Sequence, residues 1–450
     1  MKHLLLALFA LCVLRASAQT TIKRDENISR MVDEVSSKNI ETIIRKLVSF
    51  KTRHTLSDTA SATEGSGAAR NWIKSEYEKY AAASGGRMTV QFDTFTQPKS
   101  DRVDKPFHLK NVLAILKGTD PTDTRIYIVS GHYDSRVSDV MNANAIEPGA
   151  NDDASGTAVS MELARVMAKR SFPATIIFMS VVGEEQGLYG SGNVAKRAKA
   201  EHWNVDAMLN NDIVGNTHGM ETDLKDNRSV RVFSEGVPSV DAKNEKDIAG
   251  LIALGGEDDS PSRELARYTK ETAERYVDQL DVKLIYRRDR YLRGGDHIPF
   301  LLQGFTAVRF TEMNEDFTRQ HQDIRNENGV DYGDLPDFVD FNYVQKVARM
   351  NLSVLASLAL APAEPQNVGV VTSGLTNKTT LKWDAPKTGK KPAGYYVLMR
   401  ETTSPYWEKK FYVTDNSATL SYSKDNYFFA VQSLDGDGHE SLPVFPHPVK

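Results

Sequence analysis

The 450-residue chain contains a single cysteine, Cys12. Intramolecular disulfides and thiolate zinc sites are both excluded by that count. It also lacks any large excess of charge: 56 Lys and Arg stand against 60 Asp and Glu, for a formal net charge of −4. A nucleic-acid binder needs clustered excess cations to meet phosphates, so that class is disfavoured. Beyond the first eighteen residues there is no run of about 18 apolar residues, so no membrane helix is expected. No Gly-x-Ser-x-Gly elbow and no His-Glu-x-x-His helix occur, which disfavours serine-hydrolase and zincin chemistry. Internal repeats and low-complexity tracts are absent too. What is present is ordinary globular composition, 40% apolar and 26% charged. Collagen-like and wholly disordered readings are thereby excluded. The length predicts two or three domains.

Residues 1–18 read as a leader rather than as fold. Lys2 gives a basic start, residues 4–14 are an apolar run, and Ala16-Ser17-Ala18 is a small-residue cleavage site. This is the anatomy of a secretory signal peptide, too short to span a membrane. Cleavage after Ala18 is expected, leaving no cysteine, with a secreted or periplasmic location.

Residues 19–39 are polar and read as a loose arm or short helix. Residues 40–50 carry Ile40, Ile43, Ile44, Leu47 and Val48 at helical spacing. Helices are also predicted over 67–80, 157–169, 190–200, 262–279 and 343–360. Strand-like runs cover 88–95, 111–116, 125–129, 174–180, 206–210, 230–234, 281–286 and 305–311. Alternation of strands with helices predicts an α/β domain over residues 19–360, with a mostly parallel twisted sheet flanked by helices. The apolar runs at 126–129 and 176–179 suit strands buried on both faces. Ala361-Pro362-Ala363-Glu364-Pro365 then reads as a linker. Five short strands with turn signals follow, which predicts an all-β sandwich over residues 365–450.

Polar residues of one chemical kind gather where strands are predicted to end. Gly131-His132-Tyr133-Asp134-Ser135 follows one strand, Gly183-Glu184-Glu185 another, and Asn211-Asp212 a third. His321 falls in Gln320-His321-Gln322-Asp323, after a fourth. Asp152 lies in Gly149-Ala150-Asn151-Asp152-Asp153-Ala154-Ser155-Gly156, which opens a helix. Ligands bind at the carboxyl edge of such sheets. Imidazole and carboxylate donors suit divalent metals such as zinc. Two His and three acids suffice for two metals if one carboxylate bridges. Asp152 is the natural bridge, because its Gly-rich loop can bend close and a helix start favours an anion. Asp134 can accept the second N–H of His132 and fix its ring. Of the neighbours Glu184 and Glu185, one can ligate while the other stays free as a general base. Each motif alone is commonplace, since Glu-Glu is usually a solvated face and Asp-Asp an N-cap. Their order and placement together argue for chemistry.

These motifs resemble those of the two-zinc aminopeptidases of the bacterial leucyl aminopeptidase type. GHYDS, GANDDASG, GEEQGLYGS, NNDIVGN and RQHQD carry the likeness over roughly residues 111–327. The resemblance implies a zinc-exopeptidase fold with two zinc ions per chain. It implies His132 and Asp212 on one zinc, Glu185 and His321 on the other, and Asp152 between them. It assigns Glu184 as general base and then proton donor to the leaving amine. The implied substrates are peptides with a free N-terminus. Gly294-Gly295-Asp296-His297 stands where the family often has Ser-Asp-His, and Asp296 is assigned a supporting role. Tyr291 is a candidate oxyanion donor. Arg293, in a loop with Arg287, Arg288 and Arg290, is a candidate for binding a substrate carboxylate, against the plainer reading of surface salt bridges.

Residues 365–450 resemble a fibronectin type III module, through Trp383 in LKWDAP, Tyr395-Tyr396-Val397 and YFFAVQSLDGDGHES. Trp383 is expected in its core, and Asp435-Gly436-Asp437-Gly438 is expected to be a turn rather than a calcium site. Such a module could contact protein or glycan surfaces. The alternatives to an aminopeptidase are a dipeptidase or carboxypeptidase-like relative, a one-zinc glutaminyl-cyclase-like acyltransferase, and a non-catalytic binding protein. Five retained ligand candidates disfavour the cyclase, and the Glu184-Glu185 pair disfavours the binding protein.

Overall fold

A computed structural model describes residues 24–238 and 244–450. The leader read in residues 1–18, with Cys12, lies outside the described residues. The larger part of the chain is built on one eight-stranded sheet. Its strands are β1 (Met88–Gln97), β2 (Phe107–Leu116), β3 (Arg125–His132), β4 (Thr175–Val181), β5 (Asn204–Asn211), β6 (Ser229–Ser234), β7 (Asp281–Ile285) and β8 (Ala307–Glu312). The order across the sheet is β1-β2-β4-β3-β5-β8-β6-β7. The central run β4-β3-β5-β8 is parallel throughout. The expectation of a mostly parallel sheet needs correcting at the flanks. β1 with β2, β2 with β4, and β6 with β8 are antiparallel. β1 and β2 follow one another through a short connection, too short for the crossover a parallel pair demands.

Alternation along the central strands explains why they read as continuous apolar runs. Tyr127 and Val129 enter the core on one face, while Ile128 enters the core on the other. Ile176 and Phe178 oppose Ile177 and Met179 in the same way. The first face is covered by the helices Glu26–Glu34, Ser37–Val48, Gly65–Ala82, Ala154–Met167, Pro261–Tyr276 and Phe341–Leu360. The second is covered by Tyr189–Ala200 and His297–Leu302. The segment read as a loose arm or short helix supplies the helix Glu26–Glu34, capped by Asp25, with Ile28, Met31 and Val32 buried. Among the described residues no helix is long and apolar enough to cross a membrane.

After the helix Phe341–Leu360 the chain forms a four-stranded and a three-stranded sheet. Val368, Leu381 and Trp383 of the first share one apolar cluster with Tyr395, Val397, Met399, Phe429 and Val431 of the second. Trp383 packs edge-on against Tyr395 at 5.3 Å between ring centroids. Buried polar contacts fasten these sheets to the larger body. Arg125 donates to the carbonyls of Ala361 and Pro362, pinning the chain just after the helix Phe341–Leu360. Arg400 makes two 2.8 Å bonds to Asp259, and Trp407 donates to Glu264. Arg275 and Lys410 both pair with Glu440. The 435–438 segment is a turn, in which Asp435 accepts from the backbone N–H groups of Asp437 and His439.

Two predictions follow from this interface. Arg400→Met leaves Asp259 buried with Arg267 as its remaining cation, and the loss expected in urea unfolding is about 3 kcal/mol. His439 places Nδ1 2.8 Å from Asp435 and Nε2 3.0 Å from Asp25. Only the imidazolium can donate from both nitrogens. Burial opposes that charge, but Asp435 and Asp25 outweigh it and raise the His439 pKa. The resulting stabilisation is complete below about pH 6.5 and is lost as pH rises through the folded-state value. Unfolding free energies measured across neutral and alkaline pH are expected to fall more steeply in the native chain than in His439→Gln.

Candidate metal centre

The carboxyl edge of the parallel strands carries the polar residues singled out above. His132 is the last residue of β3, Asp212 follows β5, and Glu184 opens a one-turn helix after β4. Gly183 supplies the left-handed turn, φ 82°, that swings the chain from strand to helix. His321 lies in the long connection after β8. Asp152 comes from the loop before the helix Ala154–Met167, and that helix docks close to the strand ends. A Cβ on Gly156 would meet the Asn211 carbonyl oxygen at 2.1 Å, so only glycine permits the approach. Asp153 caps the helix through Gly156 N–H and also accepts from the backbone N–H of His132 and Ile213. One carboxylate thereby ties the helix start to two strand ends.

His132, Asp152 and Asp212 converge as one potential metal-holding group, and Asp152, Glu185 and His321 as a second. Asp152 belongs to both. Its Oδ1 is 3.3 Å from His132 Nε2, and its Oδ2 is 2.9 Å from His321 Nε2. Glu185 Oε1 is 3.1 Å from the same His321 nitrogen. All but His321 are almost wholly buried; its side chain is 21% exposed. His132 Nε2 and Glu185 Oε1 are buried and make no hydrogen bond. Buried polar atoms ordinarily find a partner. Two unsatisfied donor atoms pointing into an oxygen- and nitrogen-lined space fit a cation such as zinc.

Electrostatics agree with that fit. Burial, with repulsion from neighbouring acids, pushes the carboxyls of Asp153, Glu184 and Asp212 above the ordinary range. Asp296 is pushed up to about 7 for the same reasons. Asp152 goes the other way: burial alone would raise it, but His321 and His132 hold it well below the usual value. Two guanidinium groups pair directly with carboxylates of the site. These are Arg309, 3.0 Å from Asp212, and Arg136, 2.9 Å from Glu185.

His132 Nδ1 is 3.1 Å from the Asp134 backbone oxygen and 3.5 Å from its carboxylate. The Asp134 carboxylate accepts instead from Thr55 and from the backbone N–H of Glu185. Asp296 is fully buried and neither of its oxygens makes a close hydrogen bond. Glu184 feels both His132 and Asp212. Tyr291 is 77% exposed, and its hydroxyl accepts from Arg287. Arg293 pairs with Glu315 and donates to Gln320.

Several supporting residues carry no motif. Arg53, fully buried, donates to the carbonyls of Tyr133, Pro148 and Gly149, and so holds the loop that delivers Asp152. Asp334 accepts from the backbone N–H of both Asn151 and Asp152. Asn211 and Asn351 exchange amide hydrogen bonds, fixing the helix Phe341–Leu360 beside Asp212.

The sequence model for peptidase family M28 matches residues 111–339. A probable zinc metalloprotease of Leptosphaeria maculans is 48% identical over 425 residues, covering 94% of this chain and 97% of that protein. A probable zinc metalloprotease of Pyrenophora teres f. teres is 47% identical, covering 94% of this chain and 87% of its own length. Among solved structures, the LapA aminopeptidase of Legionella pneumophila is similar in fold, with TM-score 0.53 and 20% identity over 75% of this chain and 76% of that one. An aminopeptidase from Aneurinibacillus gives TM-score 0.51 and 15% identity over 73% and 95%.

Arg53→Met strands several buried carbonyls at once. The expected cost is about 3 kcal/mol or more by denaturant unfolding, with faster hydrogen exchange at Ala150 to Asp152.

Proposed function

We propose an aminopeptidase activity working with two zinc ions for this chain, which belongs to peptidase family M28. Membership makes it a zinc-dependent peptidase acting on peptides. The finer reading rests chiefly on one observation: two groups of potential ligands that meet at Asp152. His132 and Asp212 hold one zinc in this reading, Glu185 and His321 the other, and Asp152 is shared. When bound, the zinc ions polarise the scissile carbonyl and acidify the attacking water.

The chain's own residues supply the rest. Glu184 stands beside the ligands without belonging to either group. It takes the proton from the attacking water at its carboxylate and returns it to the leaving amine. In the metal-free chain desolvation and repulsion from Asp212 and Glu185 raise its pKa; bound zinc ions would lower it toward the ionised form a base needs. Asp134 orients His132 through its backbone oxygen, and Arg309 orients Asp212. The buried acids around Asp152 favour the free ammonium of a substrate over a blocked N-terminus.

In the same proposal residues 1–18 are a cleaved export signal, residues 19–360 the peptidase domain, and residues 365–450 a fibronectin type III-like sandwich. The apolar cluster shared by the two C-terminal sheets supports the last assignment.

The test measures bound zinc and hydrolysis of N-terminally free and blocked peptides on one purified sample. About two zincs per chain, with cleavage of free-amine peptides alone, is expected. One zinc with cyclisation of N-terminal glutamine would overturn it in favour of an acyltransferase. Glu184→Gln is expected to keep its zinc and to lose about 10²–10⁴-fold in kcat. Asp152→Ala is expected to lose zinc from both positions.

A further inference from the structure

Gln320 immediately precedes His321 and is buried at 8% exposure. Its Nε2 donates to Asp152 Oδ2 at 3.0 Å. That oxygen is the one facing His321. A glutamine amide has two ends, and the wrong one would set oxygen against oxygen. Arg293 decides between them. A guanidinium can only donate, and Arg293 Nη1 lies 3.2 Å from Gln320 Oε1. The oxygen end is thereby taken, and the N–H end must face Asp152. Arg293 is anchored in turn by Glu315 at 3.0 Å. Glu315 also pairs with Arg231 and Arg290, so the far end of the chain is fixed to the fold.

We infer that Gln320 is a positioning residue for Asp152, and that Arg293 acts through it, in a Glu315–Arg293–Gln320 chain that orients the shared carboxylate. The inference rests on the two-zinc reading above. A carboxylate oxygen has lone pairs enough for one hydrogen bond and one metal. The amide takes one lone pair of Oδ2 and holds the carboxylate with Oδ2 turned toward His321 and Oδ1 toward His132. Hydrogen bonds of this kind to a ligating group orient it, and losing one typically lowers metal affinity about 10–100-fold. Arg293 thereby acquires a role at the metal ligands instead of at a substrate carboxylate.

The experiment is a zinc competition titration against a chromogenic chelator. It uses the full chain, with native, Gln320→Leu, Arg293→Met and doubly substituted proteins. Thermal melts of the zinc-free forms check that each is folded. Gln320→Leu is expected to bind zinc about 10-fold or more weakly. Arg293→Met is expected to move in the same direction by less. The double variant is expected to match Gln320→Leu, because both act through one hydrogen bond.

Native zinc affinity in Gln320→Leu would overturn the inference. So would native zinc affinity in Arg293→Met, and a raised KM for dipeptides bearing a free C-terminal carboxylate would then assign Arg293 to substrate binding. If Gln320→Leu does not fold, Arg293→Met decides alone: weaker zinc binding supports the chain, and unchanged binding overturns it. Fewer than two zincs on the native protein would instead overturn the two-zinc reading, and this inference with it.

Discussion

Everything at the carboxyl edge of the sheet depends on how Asp152 is held. Its two oxygens face two imidazoles that come from chain segments nearly 190 residues apart. Carboxylates packed this densely away from water repel one another and lose hydration, which is costly unless positive charge is present. The raised pKa values of Asp153, Glu184 and Asp212 express that strain. Arg136 and Arg309 answer part of it and the imidazoles another part. A pair of divalent cations held by these residues would answer the rest, and would engage His132 Nε2 and Glu185 Oε1, which make no hydrogen bond.

The scaffold is arranged to make that convergence precise. Four adjacent parallel strands place β3, β4 and β5 so that His132, Glu184 and Asp212 emerge side by side. The helix Ala154–Met167 closes against them, and Asp153 laces its start to His132 and Ile213. Arg53 and Asp334 hold the Asp152 loop by its backbone carbonyls and N–H groups, leaving the side chain free to face inward. The C-terminal sheets stand against the far side of the body on buried ion pairs such as Arg400–Asp259. Contacts of that kind, with the Ala361 and Pro362 carbonyls held by Arg125, fix the C-terminal sheets to the larger body.

Much of this was legible in the sequence, for physical reasons. Central strands buried on both faces must be apolar throughout, so the runs at 126–129 and 176–179 stood out. The residues of the two potential ligand groups were legible because imidazole and carboxylate are out of place where a buried strand ends. Other features had no local signature. The antiparallel flanks depend on strand order, which periodicity does not encode. The helix Glu245–Ala253 buries only Ile248 and so shows no stripe. The strand His447–Val449 has three residues, one of them proline, and exists through its parallel pairing with residues 369–371. Arg53, Asn351 and Asp334 reach the site from 80 or more residues away along the chain. Gln320 sat inside the RQHQD motif, but its role depends on Arg293, whose position relative to it only the fold supplies. Asp134 shows a subtler difference, since its backbone oxygen is nearer to His132 Nδ1 than the carboxylate that the sequence pointed to.

In the proposed chemistry one carboxylate, Asp152, serves two metals. Anomalous scattering at the zinc edge from crystals of the native protein tests this most directly. Two peaks about 3.5–4 Å apart, flanking the Asp152 carboxylate with His132 on one side and His321 on the other, are predicted. A single peak, or two peaks of which only one touches Asp152, would contradict it.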